Sequence, residues 1–303
     1  MSTPIFLHYD RAALDAQYNN RAKVPDFQSH LGHWLADGVR ARSTLEVRTG
    51  IAYGSTPAET VNVFPAAPAR GAAPVLVFIH GGYWMALDKS HSDHVALGLV
   101  PHGVAVVNVD YALMPGVRMD EVVEQCRAAV AWTLREAASF GGDPGRVWVA
   151  GHSAGGHLTA MVAATDWGAF LSTQTAQHGL VAPPDRPAGG FSLSGLHDLE
   201  PIRLSYLNDT LAMDAAQAAR NSPVQWAAPA AGRWVAAVGD AEGPEYLRQA
   251  QQLAAAWGCE GARQVSAQVW RDTNHFTIAS RLADPRDALV GSIVSTLRAG
   301  QGR

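Results

Sequence analysis

From residue 75 onward the chain alternates two kinds of segment, and that alternation limits the folds open to it. Residues 75–79, 105–109, 147–150, 191–193, 234–238 and 265–270 are short runs rich in β-branched, aliphatic or aromatic side chains. Between most of them lie longer helix-like segments, at 119–138, 154–164, 244–257 and 285–298. A strand that is apolar throughout must be covered on both faces, and strands separated by amphipathic helices pair in parallel. The pattern predicts an α/β fold with a mostly parallel central sheet flanked by helices. Two earlier stretches, 45–53 and 60–64, alternate polar and apolar residues as antiparallel edge strands do, and an Ala/Pro/Gly-rich turn at 65–74 follows them. Residues 196–230 interrupt the alternation and predict a small cap over the sheet. In residues 1–42, Leu31, Trp34, Leu35 and Val39 recur near a helical period. That stretch is expected to form a helical extension packed on one domain spanning 43–303.

Composition narrows the function. Apolar residues make up 48% of the 303 and charged residues 17%, enough for a sizeable core and too few charges for a disordered chain. The net charge of −4 offers no basic excess for phosphate backbones, so no nucleic-acid partner is expected. The apolar runs are too short to cross a bilayer, and no basic stretch followed by an apolar run marks a secretory signal near Met1. No membrane partner is expected, and a cytoplasmic location is. Cys126 and Cys259 lie far apart, in no metal-like spacing, and are expected to be reduced thiols. The histidine pairs His91/His94 and His30/His33 lack the further ligands a metal site needs. No dinucleotide fingerprint or P-loop occurs, so neither metal nor organic cofactor is expected.

Two glycine motifs carry chemistry. Gly151-His152-Ser153-Ala154-Gly155 follows one strand run and opens a helix. A serine on a sharp strand-to-helix turn needs small neighbours two residues to either side, and the helix N-terminus favours developing negative charge. Ser153 is therefore the candidate nucleophile. His80-Gly81-Gly82-Tyr83-Trp84 follows the strand at 75–79. Its paired glycines suit a loop that turns backbone N–H groups toward an oxyanion, with the amides of Gly82, Tyr83 and Ala154 as the expected donors. His80 is expected to hold this loop rather than to act as a base, and Tyr83 and Trp84 are candidates for a flat wall against an aromatic substrate. A triad in the order Ser, acid, His needs a late histidine, and His275 is the one that follows His197. The acid should lie just past the strand at 234–238. Glu242 is preferred over Asp240 because three residues beyond Gly239 it can curl back, and Glu245, at a helix start, comes third. Asp198 and Glu200, in the cap, are expected to be hydrogen-bonded loop acids.

The two motifs together resemble those of the α/β-hydrolase fold. Their particular forms, His-Gly-Gly-Tyr-Trp at 80–84 and Gly-His-Ser-Ala-Gly-Gly-His-Leu at 151–158, resemble kynurenine formamidases (arylformamidases) and their bacterial esterase-like relatives. Residues 194–202, residues 243–249 and Tyr18-Asn19-Asn20-Arg21 extend the similarity, which runs from about residue 8 to 300. In that family the acid immediately precedes a Ser-Pro-Glu-Phe-like stretch and is commonly aspartate, whereas Glu242 followed by glycine stands here. The resemblance implies a serine hydrolase forming an acyl-enzyme on a small acyl amide or ester of an aromatic compound, of the N-formylkynurenine kind. A carboxylesterase for short-chain or aryl esters is the alternative. A non-catalytic hydrolase-like protein that binds a small ligand is the alternative of another class. The expected partner is a small-molecule substrate, with a homo-oligomer left open.

Overall fold

Strands apolar on both sides need two layers of cover, and the sheet has them. The computed structural model describes residues 3–66, 71–178 and 186–299. Among these, eight strands form one sheet: β1 (Arg48–Ala52), β2 (Thr60–Phe64), β3 (Ala73–Ile79), β4 (Ala105–Val109), β5 (Gly142–His152), β6 (Gly189–Leu193), β7 (Gly232–Gly239) and β8 (Arg263–Trp270). Their order is β1-β2-β4-β3-β5-β6-β7-β8. β2 runs antiparallel to both β1 and β4, and every pairing from β4 to β8 is parallel. This is the α/β-hydrolase arrangement expected of the sequence. β5 is longer than its apolar run suggests, because polar residues from Gly142 continue the extended backbone before Val147.

Alternation along each strand divides the core in two. Val75, Val77 and Ile79 of β3, Val149 of β5, and Trp234, Ala236 and Val238 of β7 face one layer. Leu76 and Phe78, Trp148 and Ala150, and Val235 and Ala237 face the other. The first layer is closed by helices Met119–Glu136, Ala154–Ala163 and Pro244–Trp257, and the second by Val95–Leu99 and Ala288–Ala299. Met119–Glu136 buries Met119, Val122, Val123, Cys126, Ala129, Val130 and Leu134, the stripe a 3.6-residue period places on one side. Burying each large side chain of this kind contributes about 1.5–3 kcal/mol.

The N-terminal region holds three helices: Arg11–Tyr18, Asn20–Lys23 and Phe27–Thr44. Asn19 separates the first two, its side chain accepting from Ala22 N. Pro25 disfavours helical backbone at Val24 and so separates the last two. The buried stripe of Phe27–Thr44 is not the expected one. Trp34, Gly38 and Ala41 face inward, while Leu35 and Val39 are 36% and 58% exposed. Gly38 sets this orientation, since a Cβ there would lie 2.7 Å from the Ser90 carbonyl oxygen, closer than any larger side chain tolerates.

Residues 196–230 hold the short helices Glu200–Arg203, Asn208–Leu211 and Ala215–Arg220, fixed to the body through two buried histidines. His157 Nε2 donates to the Asn221 carbonyl (2.7 Å) and His197 Nδ1 to that of Gln249 (3.0 Å). Burial holds both imidazoles neutral, with pKa values of about 3 for His157 and about 4 for His197. An unfolded histidine titrates near 6.5, so below that pH the unfolded chain takes up protons that the folded chain refuses. The stability these groups contribute is present above 6.5 and lost as pH falls toward 4 and then 3. Denaturant titrations should show each histidine costing roughly 2 kcal/mol between pH 7 and pH 5, with a shallower pH dependence in His157→Gln. Stability that is flat or rising over that interval would contradict the assignment.

Candidate active site

The carboxyl ends of β3, β5, β6, β7 and β8 share one edge of the sheet, where parallel α/β sheets bind ligands. Ile79 of β3 pairs with Gly151 of β5, so the loop 80–84 leaves the sheet beside the bend at residue 153. Ser153 occupies that bend with φ 58° and ψ −118°, a conformation that non-glycine residues rarely adopt and that costs on the order of 1–3 kcal/mol. Hydrogen bonds hold it on both sides. Ser153 N donates to the Leu193 carbonyl (2.8 Å), and the Ser153 carbonyl accepts from His157 N (3.1 Å). The glycines are required by contact. A Cβ on Gly151 would stand 2.2 Å from the Gly155 oxygen, and one on Gly155 would stand 1.9 Å from the Ile79 oxygen.

Ser153 Oγ lies 3.0 Å from His275 Nε2, and His275 Nδ1 lies 2.6 Å from Glu242 Oε2. With Nδ1–H donating to the carboxylate, Nε2 carries the lone pair that faces the serine hydroxyl. The second carboxylate oxygen, Oε1, accepts from Ser194 Oγ and from Gly239 N, each at 2.6 Å. Among the three acids considered from sequence, the structure brings only Glu242 to the histidine. Asp240 Oδ1 accepts from Thr273 N (3.2 Å), and Glu245 bonds Tyr18 Oη and Arg248. Asp198 and Glu200 pair with Arg248 and Arg203 (3.5 and 2.7 Å).

Residues outside the expected set fix this geometry. His152 Nε2 donates to the His275 carbonyl (2.7 Å), and burial together with the neighbouring His275 holds the pKa of His152 well below its ordinary value. The Tyr246 ring packs 4.8 Å from that of His275. Ser194, which bonds Glu242, opens the Ser-Gly turn after β6. The motif strings at 194–202 and 243–249 were the signals that contained Ser194 and Tyr246, although spacing alone gave neither a role.

Loop 80–84 is anchored from several directions. Gly82, Tyr83 and Trp84 have φ of 105°, 50° and 59°, three left-handed residues in succession. A Cβ on Gly81 would stand 3.1 Å from Ser153 Cβ, so the loop lies directly against the serine. Ala154 is the first residue of its helix, and an N–H in that position has no acceptor within the helix. His80 stacks on Tyr111 (4.2 Å between centroids), and its Nδ1 lies 2.8 Å from the Gly81 oxygen. Tyr83 Oη donates to the Tyr18 carbonyl (2.6 Å) and accepts from Asn20 Nδ2 (3.0 Å) and Tyr246 Oη (2.8 Å). Trp84 departs from expectation. It is fully buried and donates from Nε1 to His157 Nδ1 (3.1 Å), so it belongs to the core rather than to a substrate wall. An indole so placed satisfies its N–H only by turning inward.

A cavity of about 450 Å³ opens at Ser153 and His275. Phe27, Leu31 and Trp34 of the N-terminal region, Tyr83, Met85 and Leu87 of the glycine loop, Phe276, and Tyr206 and Leu207 of the 196–230 segment form its walls. Among the described residues no three histidine, cysteine, aspartate or glutamate side chains converge as metal ligands do, and no helix is long and apolar enough to cross a membrane.

Known proteins share this architecture. The family model BD-FAE matches residues 61–180. Kynurenine formamidase of Danio rerio is 31% identical over 89% of this chain and 88% of its own length. That of Salmo salar is 30% identical over 91% and 90%. The crystal structure of a candidate thioesterase from Silicibacter sp. TM1040 has a TM-score of 0.74 and 32% identity, covering 92% of this chain and 97% of that one. Esterase B from Lactobacillus rhamnosis, at 18% identity and a TM-score of 0.69 over 92% and 96% of the two chains, shares the fold. On sequence and on fold alike, the chain belongs to the kynurenine formamidase family of α/β-hydrolases.

Proposed function

We propose that this protein is a serine hydrolase that forms an acyl-enzyme on a small acyl amide or ester of an aromatic compound, with N-formylkynurenine-like formanilides as the preferred class. The observation that carries the reading is the continuous chain from Ser153 through His275 to Glu242, at 3.0 and 2.6 Å, opening onto a cavity with aromatic walls. Kynurenine formamidases as relatives along most of the chain support the formamide.

Ser153 Oγ attacks the carbonyl carbon while its proton passes to His275 Nε2. The imidazolium that forms is stabilised by Glu242, whose other oxygen stays bonded to Ser194 and Gly239. Negative charge developing on the carbonyl oxygen is met by the amides of Gly82, Tyr83 and Ala154, each such donor worth roughly 3–4 kcal/mol in the transition state. His275 protonates the departing nitrogen or oxygen, and water then releases the acyl group by the reverse path. An aryl amine leaves more readily than an alkyl amine because its lone pair is delocalised into the ring.

The esterase alternative draws on the likeness to esterase structures. The two readings separate on kcat/KM for N-formyl-L-kynurenine against short aryl esters. The formamidase reading predicts at least about a tenfold preference for the formamide, and a smaller ratio favours a general esterase. With p-nitrophenyl acetate the wild type should give a burst of p-nitrophenol, and Ser153→Ala should lose activity by about five powers of ten. No release of p-nitrophenol above the uncatalysed rate would favour a ligand-binding protein over an enzyme.

The acid is tested separately. Glu242→Gln should lower kcat by about 10⁴, while Asp240→Asn leaves it nearly unchanged. The reverse pattern would reassign the acid to Asp240.

A further inference from the structure

The Tyr18-Asn19-Asn20-Arg21 string contains one member that the proposed chemistry leaves unused. Tyr18 and Asn20 bond Tyr83 and Tyr246, and Asn19 caps the helix Asn20–Lys23. Asn19, Asn20 and Arg21 line the cavity that holds Ser153 and His275, and Arg21 alone of the three carries a charge. No other lysine or arginine, and no aspartate or glutamate, is among the described residues lining it. The guanidinium lies 5.4 Å from the centre of the Phe27 ring, itself a cavity wall, and burial raises the pKa of Tyr206, another lining residue, with the charge of Arg21 offsetting part of that rise. Among the described residues it has no carboxylate partner.

An arginine on a protein surface commonly meets an acidic neighbour, and this chain carries more acids than bases, 27 against 23. Among the described residues lining this cavity, the one side chain with a fixed charge is positive and has no carboxylate partner. A cation–π contact with Phe27 holds the guanidinium at the cavity wall, and a guanidinium's forked N–H groups can receive a planar carboxylate through two parallel hydrogen bonds. The remaining walls are mainly apolar and aromatic, so they suit the body of an aromatic molecule rather than its charge.

We propose that Arg21 is the residue that binds a carboxylate carried by the substrate away from the scissile bond. This rests on the serine-hydrolase reading for what happens at Ser153, but the recognition itself is a property of the cavity and is measured without turnover. Arg21 then acts as a specificity-determining residue whose charge selects among substrates of similar shape.

The test compares 3-phenylpropionate with its neutral isostere 3-phenylpropionamide on the full chain. Each is measured as a competitive inhibitor of p-nitrophenyl acetate hydrolysis and by calorimetric titration. In the wild type the acid should bind at least ~10-fold more tightly than the amide. Arg21→Gln should bring the ratio near one, and Arg21→Lys should keep part of it, since the charge remains and the fork is lost. Affinity for the amide shows in each variant that the cavity is intact. Equal binding of acid and amide by the wild type, or a ratio unchanged in Arg21→Gln, would overturn the proposal. If p-nitrophenyl acetate is not turned over, the hydrolase reading fails while the calorimetric ratio still decides the role of Arg21.

Discussion

The bend at Ser153 is the constraint on which the site depends. A side chain held at φ 58° and ψ −118° projects from the sheet edge only because nothing larger than hydrogen stands at Gly151, Gly155 and Gly81. The same close approach sets the distances around it. Gly155 lies against the carbonyls of Ile79 and His80, which locks the helix Ala154–Ala163 to β3 and brings the glycine loop alongside the hydroxyl. Backbone strain of this size persists where surrounding contacts over-determine the geometry. Here the two flanking backbone hydrogen bonds and the packing of a completely buried helix supply that.

A second set of interactions ties the glycine loop to distant parts of the chain, and its hydrogen-bond directions are mutually consistent. Asn20 has two amide protons and gives them to Tyr83 Oη and Tyr246 Oη. Tyr246 donates to Tyr83, and Tyr83 donates its single proton to the Tyr18 carbonyl. Every proton in the ring of contacts is used once. On the other side, Trp84 bonds His157 of the helix Ala154–Ala163, and His157 bonds the Asn221 carbonyl of the 196–230 segment. The loop thus joins the N-terminal helices, the helix after Ser153 and that segment. Lys23 adds a bond from its ammonium to the Glu242 carbonyl (2.9 Å). In the proposed mechanism the loop's amides act as preorganised donors, which stabilise a transition state only if they do not have to reorient, and these anchors hold them in place.

Much of this was legible from residues alone, for identifiable reasons. Parallel strands buried on both faces are apolar without interruption, and such runs appear plainly at 75–79 and 234–238. The glycine spacing around Ser153 and the doublet at Gly81-Gly82 are imposed by contact distances, which leave a mark in sequence. Sequence does not place Trp84, because an indole beside a functional loop is equally at home against a ligand or inside the core, and only its bond to His157 decides. The inward face of Phe27–Thr44 escapes the apolar pattern because a glycine, not a large apolar residue, sets its closest contact. Ser194 and Tyr246 act on Glu242 and His275 across dozens of residues, and long-range hydrogen bonds have no periodicity to betray them.

The most direct test of the site is a crystal structure of the protein after reaction with diethyl p-nitrophenyl phosphate. It should show phosphorus bonded to Ser153 Oγ, with the phosphoryl oxygen within about 3 Å of at least two of the backbone nitrogens of Gly82, Tyr83 and Ala154. A phosphoryl group on another residue, or one on Ser153 whose oxygen points away from all three amides, would contradict the proposed catalytic geometry.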